Sequence, residues 1–296
     1  MMIVQGDEQP IHESRSVRGG ELRKQHLLVG NDLGPGNFFF VLAYQKGDFF
    51  SPRHHHNFDQ FRYQIEGECT FGQTGTMKPG TLGYFTEGSY YGPQDSTVPN
   101  VVAVVQFGGP SGNGYLTLDE LHNARVEMMQ NGHFEKGVYY RNEGVPGKKT
   151  LDSFQATWEW AKGRAMVYPK PQYAEGIMMD TNNFRWMPLD GVPGVEEKSY
   201  GVFTDCKIRN ASYKLDPGAT FEATGRGIFF VLSGAGSLEG GPYRKLTSLY
   251  VDSGESATFR ATETSEILLL GLPDMSRMRT PIAEMVTTDD EAAAVA

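Results

Sequence analysis

Three consecutive histidines, His54, His55 and His56, are the part of the sequence best suited to chemistry. Alternate side chains of an extended chain point to opposite sides, so His54 and His56 face one way and His55 the other. Gln60 follows at the start of a strand-like segment. Alternation along that segment allows its side-chain carbonyl oxygen to face the same place as His54 and His56. Two imidazoles and an oxygen suit a divalent metal ion such as Fe, Mn, Ni or Zn. The segment predicts a metal site, and the alternative is a solvated histidine-rich turn.

The same alternation assigns the other side chains of the strand that contains Gln60. If Gln60 faces inward, so do Arg62 and Gln64, whereas the apolar side chains between them face outward. We expect Gln64 to contact substrate. Arg62 could hold a substrate carboxylate through two parallel hydrogen bonds, and its alternative role is an internal ion pair with Asp59 or Glu66. The pocket is therefore expected to be polar, and the apolar outer face requires a partner: the other half of the chain, a second subunit, or both.

Tyrosines and further histidines are weaker candidates. Tyr84 is expected to contact substrate at the mouth of the pocket, although packing within a strand is the default for tyrosine. His122 and His133 flank a predicted helix, and we interpret them as surface or capping residues rather than ligands.

The surrounding sequence predicts the elements that position these residues. After residue 37, short apolar segments alternate with turn-forming clusters, and the same alternation returns after residue 194, which is typical of antiparallel sandwiches or barrels. Between the two halves, Thr117 and Glu120 form a capping pattern that predicts a helix. A second short helix is expected over residues 153–162. The fold class predicted is mainly all-β.

The sequence pattern predicts five segments. They are an N-terminal arm (1–35), a metal-binding barrel (36–112), a linker with short helices (113–194), a second barrel (195–275) and a C-terminal tail (276–296).

The spacing around the histidines resembles a known family. Gly47, then His54-x-His56, then Gln60, then Gly67 is similar to the first motif of the cupin superfamily, G-x5-6-H-x-H-x3-4-E-x6-G, with Gln in place of Glu. The second cupin motif is represented in part by Gly80, by Thr86-Glu87-Gly88 and by Tyr91, which stands where the last histidine ligand would fall. With two β halves, the chain resembles a bicupin over residues 35–110 and 195–272.

The resemblance implies two double-stranded β-helix, or jelly-roll, barrels with a metal or ligand inside. Carried over to this sequence, His54 and His56 would be metal ligands and Gln60 the third. Tyr91 would be a fourth ligand or a nearby hydroxyl that moves a proton. A neutral Gln leaves such a site one negative charge poorer, which favours a carboxylate or enolate substrate.

The second half lacks this chemistry. All seven histidines precede residue 134, so the second barrel has no imidazole of its own. If Gly234 corresponds to Gly67, then Gly227, Phe229 and Val231 fill its interior. We expect a closed, packed structural barrel.

Composition excludes several classes of protein. Lys and Arg number 27 against 36 Asp and Glu, and the net charge of −9 repels nucleic acids and anionic membranes. No apolar run approaches the roughly 20 residues of a membrane span. Cys69 and Cys206 have no metal-type spacing and are expected to be reduced core residues. No secretory leader is recognised, so we expect a cytoplasmic protein, and the outward apolar strand face predicts a homodimer.

The combined prediction is a metal-dependent enzyme that acts on a small oxygenated carboxylate or phenol. Oxygen insertion by a dioxygenase-type oxidoreductase is the first choice, with one divalent metal, and Tyr91 and Arg62 as catalytic residues. A cupin isomerase, decarboxylase or lyase is the alternative within enzymes. A cupin that binds a small ligand without turning it over is the alternative outside them.

Overall fold

The computed structural model describes residues 1–15 and 21–278. In chain order the strands are β1 (Met2–Gln5), β2 (Ile11–Arg15), β3 (Glu21–Val29), β4 (Phe38–Gln45), β5 (Phe50–Ser51), β6 (Asp59–Glu66), β7 (Cys69–Phe71), β8 (Thr76–Met77), β9 (Thr81–Phe85), β10 (Gln94–Asp95), β11 (Asn100–Phe107), β12 (Gly132–Glu135), β13 (Val138–Arg141), β14 (Thr150–Asp152), β15 (Ile177–Asp180), β16 (Met187–Pro188), β17 (Val195–Phe203), β18 (Ile208–Leu215), β19 (Thr220–Thr224), β20 (Gly227–Ser233), β21 (Gly236–Leu238), β22 (Gly241–Tyr243), β23 (Thr247–Val251), β24 (Ser256–Ala261) and β25 (Ser265–Gly271). The helices are α1 (Leu118–Met128) and α2 (Ser153–Lys162). The mainly all-β class is confirmed.

Two units of the same topology make up most of the described chain. The first contains a seven-stranded sheet of order β15-β9-β6-β11-β4-β3-β2 and a four-stranded sheet of order β5-β10-β7-β8. The second contains a seven-stranded sheet of order β1-β23-β20-β25-β18-β17-β16 and a four-stranded sheet of order β19-β24-β21-β22. Strand for strand, β6 corresponds to β20, and Gly67 and Gly234 both follow these strands with positive φ angles of 65° and 89°.

The N-terminal segment differs from the expectation of an arm. β1 pairs with β23 and completes the sheet of the second unit, whereas β2 and β3 belong to the sheet of the first unit. Leu27 and Leu28 of β3 are buried in the core. The composition of this segment is polar because alternate side chains of its strands face solvent. Composition alone therefore did not indicate the strands. Most of the tail predicted at 276–296 lies outside the described residues.

The outward apolar faces of the two large sheets pack against each other. Phe61 and Tyr63 of β6 share one core with Ile228 and Phe230 of β20, and the ring centroids of Phe61 and Phe203 lie 5.8 Å apart. The alternation predicted for β6 is therefore correct in direction. The partner of its apolar face is the second unit, so this face does not itself require a second subunit.

The second unit has a filled interior. Phe229 and Val231 are 1% and 0% exposed and belong to a core formed within that unit. This agrees with the predicted packed structural barrel.

The linker folds over the open end of the first unit. α1 begins with the predicted capping box, in which the Thr117 hydroxyl accepts from the backbone N–H of Glu120 and the Glu120 carboxylate accepts from the backbone N–H of Thr117. α2 occupies the expected residues, with Asp152 as its N-cap. The segment predicted as a linker with short helices also contains a small sheet formed by β12, β13 and β14. Neither helix in the described residues has the length and hydrophobicity that a membrane-spanning helix needs.

Candidate functional site

The first unit contains a cavity of about 480 Å³ between its sheets and the two linker helices. That volume suits a small-molecule ligand. Its polar lining comes mainly from inward-facing strand residues and from α1. The polar and charged lining residues are Lys24, Gln45, Ser51, His54, His56, Arg62, Gln94, Gln106, His122, Arg125 and Ser153. Among the described residues that line the cavity, none is acidic.

His54 and His56 are brought together as the alternation predicted. Their ring centroids are 4.9 Å apart and the rings are nearly perpendicular. The Nδ1 atom of His54 lies 2.6 Å from the carbonyl oxygen of Pro52. In a neutral imidazole this contact requires the proton on Nδ1 and leaves the lone pair on Nε2. His55 points away and stacks between Tyr90 and Tyr168, at centroid distances of 4.0 and 3.7 Å.

Gln60 lies behind the cavity lining rather than in it. Its side-chain oxygen accepts a hydrogen bond from Arg62 Nε at 3.1 Å, and its Nε2 donates to the Tyr91 hydroxyl at 2.5 Å. The amide is 1% exposed. The oxygen expected to bind a metal is thus occupied by a guanidinium.

Arg62 is buried at the inner end of the cavity. Its guanidinium carbon lies 5.2 to 5.6 Å from the ring centroids of Phe71, Phe85 and Tyr91, which form a cation–π cage. The ion pair considered with Asp59 or Glu66 is not formed among the described residues. The Asp59 carboxylate instead accepts hydrogen bonds from the Tyr84 hydroxyl and the backbone N–H of Glu87. The Arg62 guanidinium is therefore available to pair with an anionic ligand in the cavity.

Tyr91 supports the site but does not line it. A β-bridge joins its backbone to that of His54, and its ring lies 4.5 Å from the His54 ring. With its hydroxyl bonded to Gln60 and its ring 2% exposed, Tyr91 positions His54 and Gln60. A direct catalytic role, as expected from the resemblance, would need its hydroxyl to reach the cavity.

Gln64 and Tyr84, expected as substrate contacts, lie elsewhere. Gln64 faces inward but beyond the end of the cavity, where its Nε2 donates to the carbonyl oxygen of Glu66 at 2.8 Å. Tyr84 faces outward, because β9 runs antiparallel to β6 with Tyr84 opposite Phe61. Its ring stacks on Phe61 between the two units, at a centroid distance of 4.3 Å.

A buried carboxyl lies next to Tyr84. Asp59 is completely buried and accepts from the Tyr84 hydroxyl at 2.5 Å and from the backbone N–H of Glu87 at 2.7 Å. Burial raises the pKa of Asp59 to about 6, although both hydrogen bonds act in the opposite direction. Burial and the neighbouring Asp59 charge also raise the pKa of Tyr84.

Three cavity residues are not identified by the sequence. Lys24 lies in the segment predicted as an arm, Arg125 lies on the predicted helix, and His122 is predicted at the surface. His122 is exposed and still reaches the cavity, which therefore opens to solvent at α1. The alternation of β3 could have identified Lys24, whereas no local pattern predicts that α1 covers the barrel.

The residues present fit a divalent metal in part. Two imidazoles with an oriented His54 provide half of a usual coordination sphere. The Gln60 oxygen, which already accepts from Arg62, has one further lone pair with which it could bind a metal. The described residues contain no cluster of three or more His, Cys, Asp or Glu side chains that could hold a metal ion.

Comparison with known proteins gives no sequence relative and several structural ones. No family model and no curated protein matches the chain. A proposed dioxygenase from Nostoc punctiforme PCC 73102 has 11% identity and a TM-score of 0.62, over 97% of this chain and 86% of that one. The chain has the cupin fold.

Two further solved structures resemble it. A variant of oxalate decarboxylase from Bacillus subtilis has 16% identity and a TM-score of 0.54, over 93% of this chain and 78% of that one. A protein from Geobacillus kaustophilus has 14% identity and a TM-score of 0.52, over 90% and 94% of the two chains. At such identities the shared property is the fold.

Proposed function

We propose that this chain is a bicupin enzyme whose first barrel binds a small oxygenated carboxylate and transforms it at a divalent metal. The observation that carries the proposal is Arg62, a buried guanidinium beside His54 and His56 in a cavity whose described lining has no acidic residue. A buried cation without a carboxylate partner among the described residues is costly unless a ligand supplies the negative charge.

The side chains suggest how such a ligand is held. Arg62 binds the carboxylate, and its Nε–H remains on Gln60, which fixes the plane of the guanidinium. His54 and His56 would hold the metal, and when bound it would polarise a substrate oxygen. Phe39, Phe58 and Phe154 exclude water from the walls of the cavity, which strengthens electrostatic contacts inside it.

The reaction type rests on the structural comparisons. One similar cupin is a proposed dioxygenase and another is an oxalate decarboxylase. Following the better TM-score, we propose a dioxygenase-type oxidoreductase, with decarboxylation or another lyase or isomerase reaction as the alternative. Oxygen uptake and CO₂ release, measured on the same carboxylate substrate, distinguish the two.

A second candidate is a metal-free binding protein for the same ligand class. The hydrogen bond between Gln60 and Arg62 favours it, since that bond places a cation on the oxygen that would be the third metal ligand.

Metal content and carboxylate binding test both candidates. Tag-free wild type, His54→Ala and Gln60→Ala are reconstituted separately with Fe, Mn, Ni and Zn, and bound metal is measured by plasma mass spectrometry. One metal per chain that is lost in His54→Ala supports the enzyme. No bound metal, with acetate or benzoate still titrating into the wild type and not into Arg62→Met, favours the binding protein. If neither metal nor carboxylate binds, both are wrong.

Location and assembly remain proposals. A cytoplasmic location stays a prediction from the sequence. A homodimer stays a prediction, which sedimentation velocity tests, but the apolar face that suggested it is covered within the chain.

A further inference from the structure

The cations that line the cavity come from two strands that are not neighbours in the large sheet and from α1. Arg62 lies on β6 next to His54 and His56, whereas Lys24 lies on β3 and Arg125 on α1. β4 and β11 separate β3 from β6. Three strand spacings of about 4.8 Å place the two strands about 14 Å apart along the sheet. The cavity therefore has an inner cationic end and an outer one.

The outer end holds two like charges beside each other. Burial, together with the neighbouring Arg125 guanidinium, lowers the pKa of Lys24. Burial also lowers the pKa of Arg125, although Tyr115 and Asp152 act in the opposite direction. Lys24 is only partly shielded from water because it faces the cavity. A negative group between the two side chains would relieve their repulsion.

Arg125 also has an unused hydrogen-bond donor. Its Nε is buried and has no hydrogen-bond partner among the described residues. Buried donors in folded proteins are nearly always paired, so an unpaired one indicates a missing acceptor. Asp152, whose charge acts on Arg125, accepts the backbone N–H groups of Phe154 and Gln155 at its Oδ1 atom at the start of α2.

The surface between the two ends is apolar. In the register of the sheet, Lys24 lies opposite Ala43, and Arg62 lies opposite Val104, which in turn lies opposite Val41. These three apolar residues all line the cavity. Polar ends with an apolar middle match a ligand of the same pattern.

We propose that the cavity binds a dianion whose two anionic groups are separated by an apolar segment, one group at Arg62 and the other between Lys24 and Arg125. This inference rests on the proposed function, since it names the carboxylate class that the same cavity accepts. In this proposal Arg62 binds the carboxylate that all ligands share. Lys24 and Arg125 select those ligands that carry a second anionic group.

The test compares straight-chain dicarboxylates with monocarboxylates of equal carbon number. Succinate, adipate and suberate are titrated into the whole protein by calorimetry beside butyrate, hexanoate and octanoate. At least one dicarboxylate is expected to bind about tenfold more tightly than its matched monocarboxylate, the effect of one added charge-assisted contact. Equal affinities for every pair would overturn the inference while leaving the proposed function intact. If no acid of either series binds, the proposed function itself fails.

Variants assign the second anionic group to its site. Lys24→Met and Arg125→Met each remove the charge and leave a flexible, unbranched apolar side chain, and each is expected to reduce the dicarboxylate preference about tenfold, to near unity. Lys78→Met removes the same charge from an exposed position outside the cavity and is expected to retain the preference. Circular dichroism confirms that each variant is folded. A preference that survives in both cavity variants would contradict the assignment.

Discussion

Arg62 donates from Nε to the side-chain oxygen of Gln60 at 3.1 Å, so a guanidinium occupies the atom that the sequence motif offers to a metal. This bond links the two possible roles of the site. While it persists, Gln60 orients Arg62 toward an anion. If Gln60 turned its oxygen to a metal beside His54 and His56, Arg62 would lose that support.

Gln60→Glu should shift the site from anion binding toward metal binding. The new carboxylate would form an ion pair with Arg62 and neutralise its charge, so carboxylate affinity is expected to fall about tenfold. The same negative charge would raise the affinity for Mn²⁺ or Zn²⁺ by about tenfold or more. Calorimetric titration of acetate and of each metal measures both changes.

Gln60→Met is the matched control for that experiment. It removes the amide oxygen and leaves the charge of Arg62 in place, so it should weaken metal binding. Carboxylate affinity should fall by only about threefold, through loss of the hydrogen bond that orients the guanidinium. If Gln60→Glu and Gln60→Met alter carboxylate affinity equally, charge at residue 60 is not what governs the anion site.

Much of the architecture could be predicted because it depends on local patterns. Alternation along β6 correctly placed Phe61 outward and Arg62 inward, and the capping residue Thr117 marked the start of α1. The matching glycines after β6 and β20 identified the internal repeat.

The remainder depends on contacts between distant segments. β1 joins the second unit across more than 240 residues of chain, with Met2 opposite Tyr250. The outer end of the cavity arises because α1 lies over the barrel, which brings Arg125 near Lys24. No short window of sequence contains either relationship.

Tyr84→Phe should separate stability from ligand binding. The hydroxyl donates to Asp59 and lies outside the cavity, so carboxylate affinity is expected to remain within about twofold of wild type. Loss of a hydrogen bond to a buried carboxylate should lower the free energy of unfolding at pH 7.5 by about 1 to 3 kcal/mol. Urea unfolding and calorimetry measure the two effects. A large loss of carboxylate affinity without loss of stability would show instead that Tyr84 contacts the ligand.

His55→Ala should loosen the linker without changing the cavity. The imidazole stacks between Tyr90 of the first unit and Tyr168 of the linker. Each aromatic contact contributes about 0.5 to 1.5 kcal/mol, so the free energy of unfolding should fall by about 1 to 3 kcal/mol. Limited proteolysis should cleave near Tyr168 faster than in wild type. Unchanged cleavage would show that the stacking does not hold this segment, and His56→Ala, which alters the cavity instead, provides the comparison.

Asp59→Asn should remove a pH dependence of stability. A carboxyl with a folded pKa of about 6 and an unfolded pKa near 3.9 binds its proton more tightly in the folded state. This group therefore favours folding most below about pH 4, and stability falls as pH rises through the window from about 4 to 6. The loss amounts to about 3 kcal/mol at neutral pH. Asparagine keeps the shape of the side chain and cannot ionise.

The difference between the two proteins isolates Asp59 from the other titrating groups. Free energies of unfolding in urea are measured for wild type and Asp59→Asn at pH 4.5, 6 and 7.5. Relative to wild type, Asp59→Asn should gain stability as pH rises through this range, because only wild type must bury an additional negative charge beside Glu87, whose carboxylate accepts from Ser111. Parallel pH profiles would mean that Asp59 is ionised in the folded protein even at pH 4.5, with the Tyr84 hydrogen bond outweighing its burial.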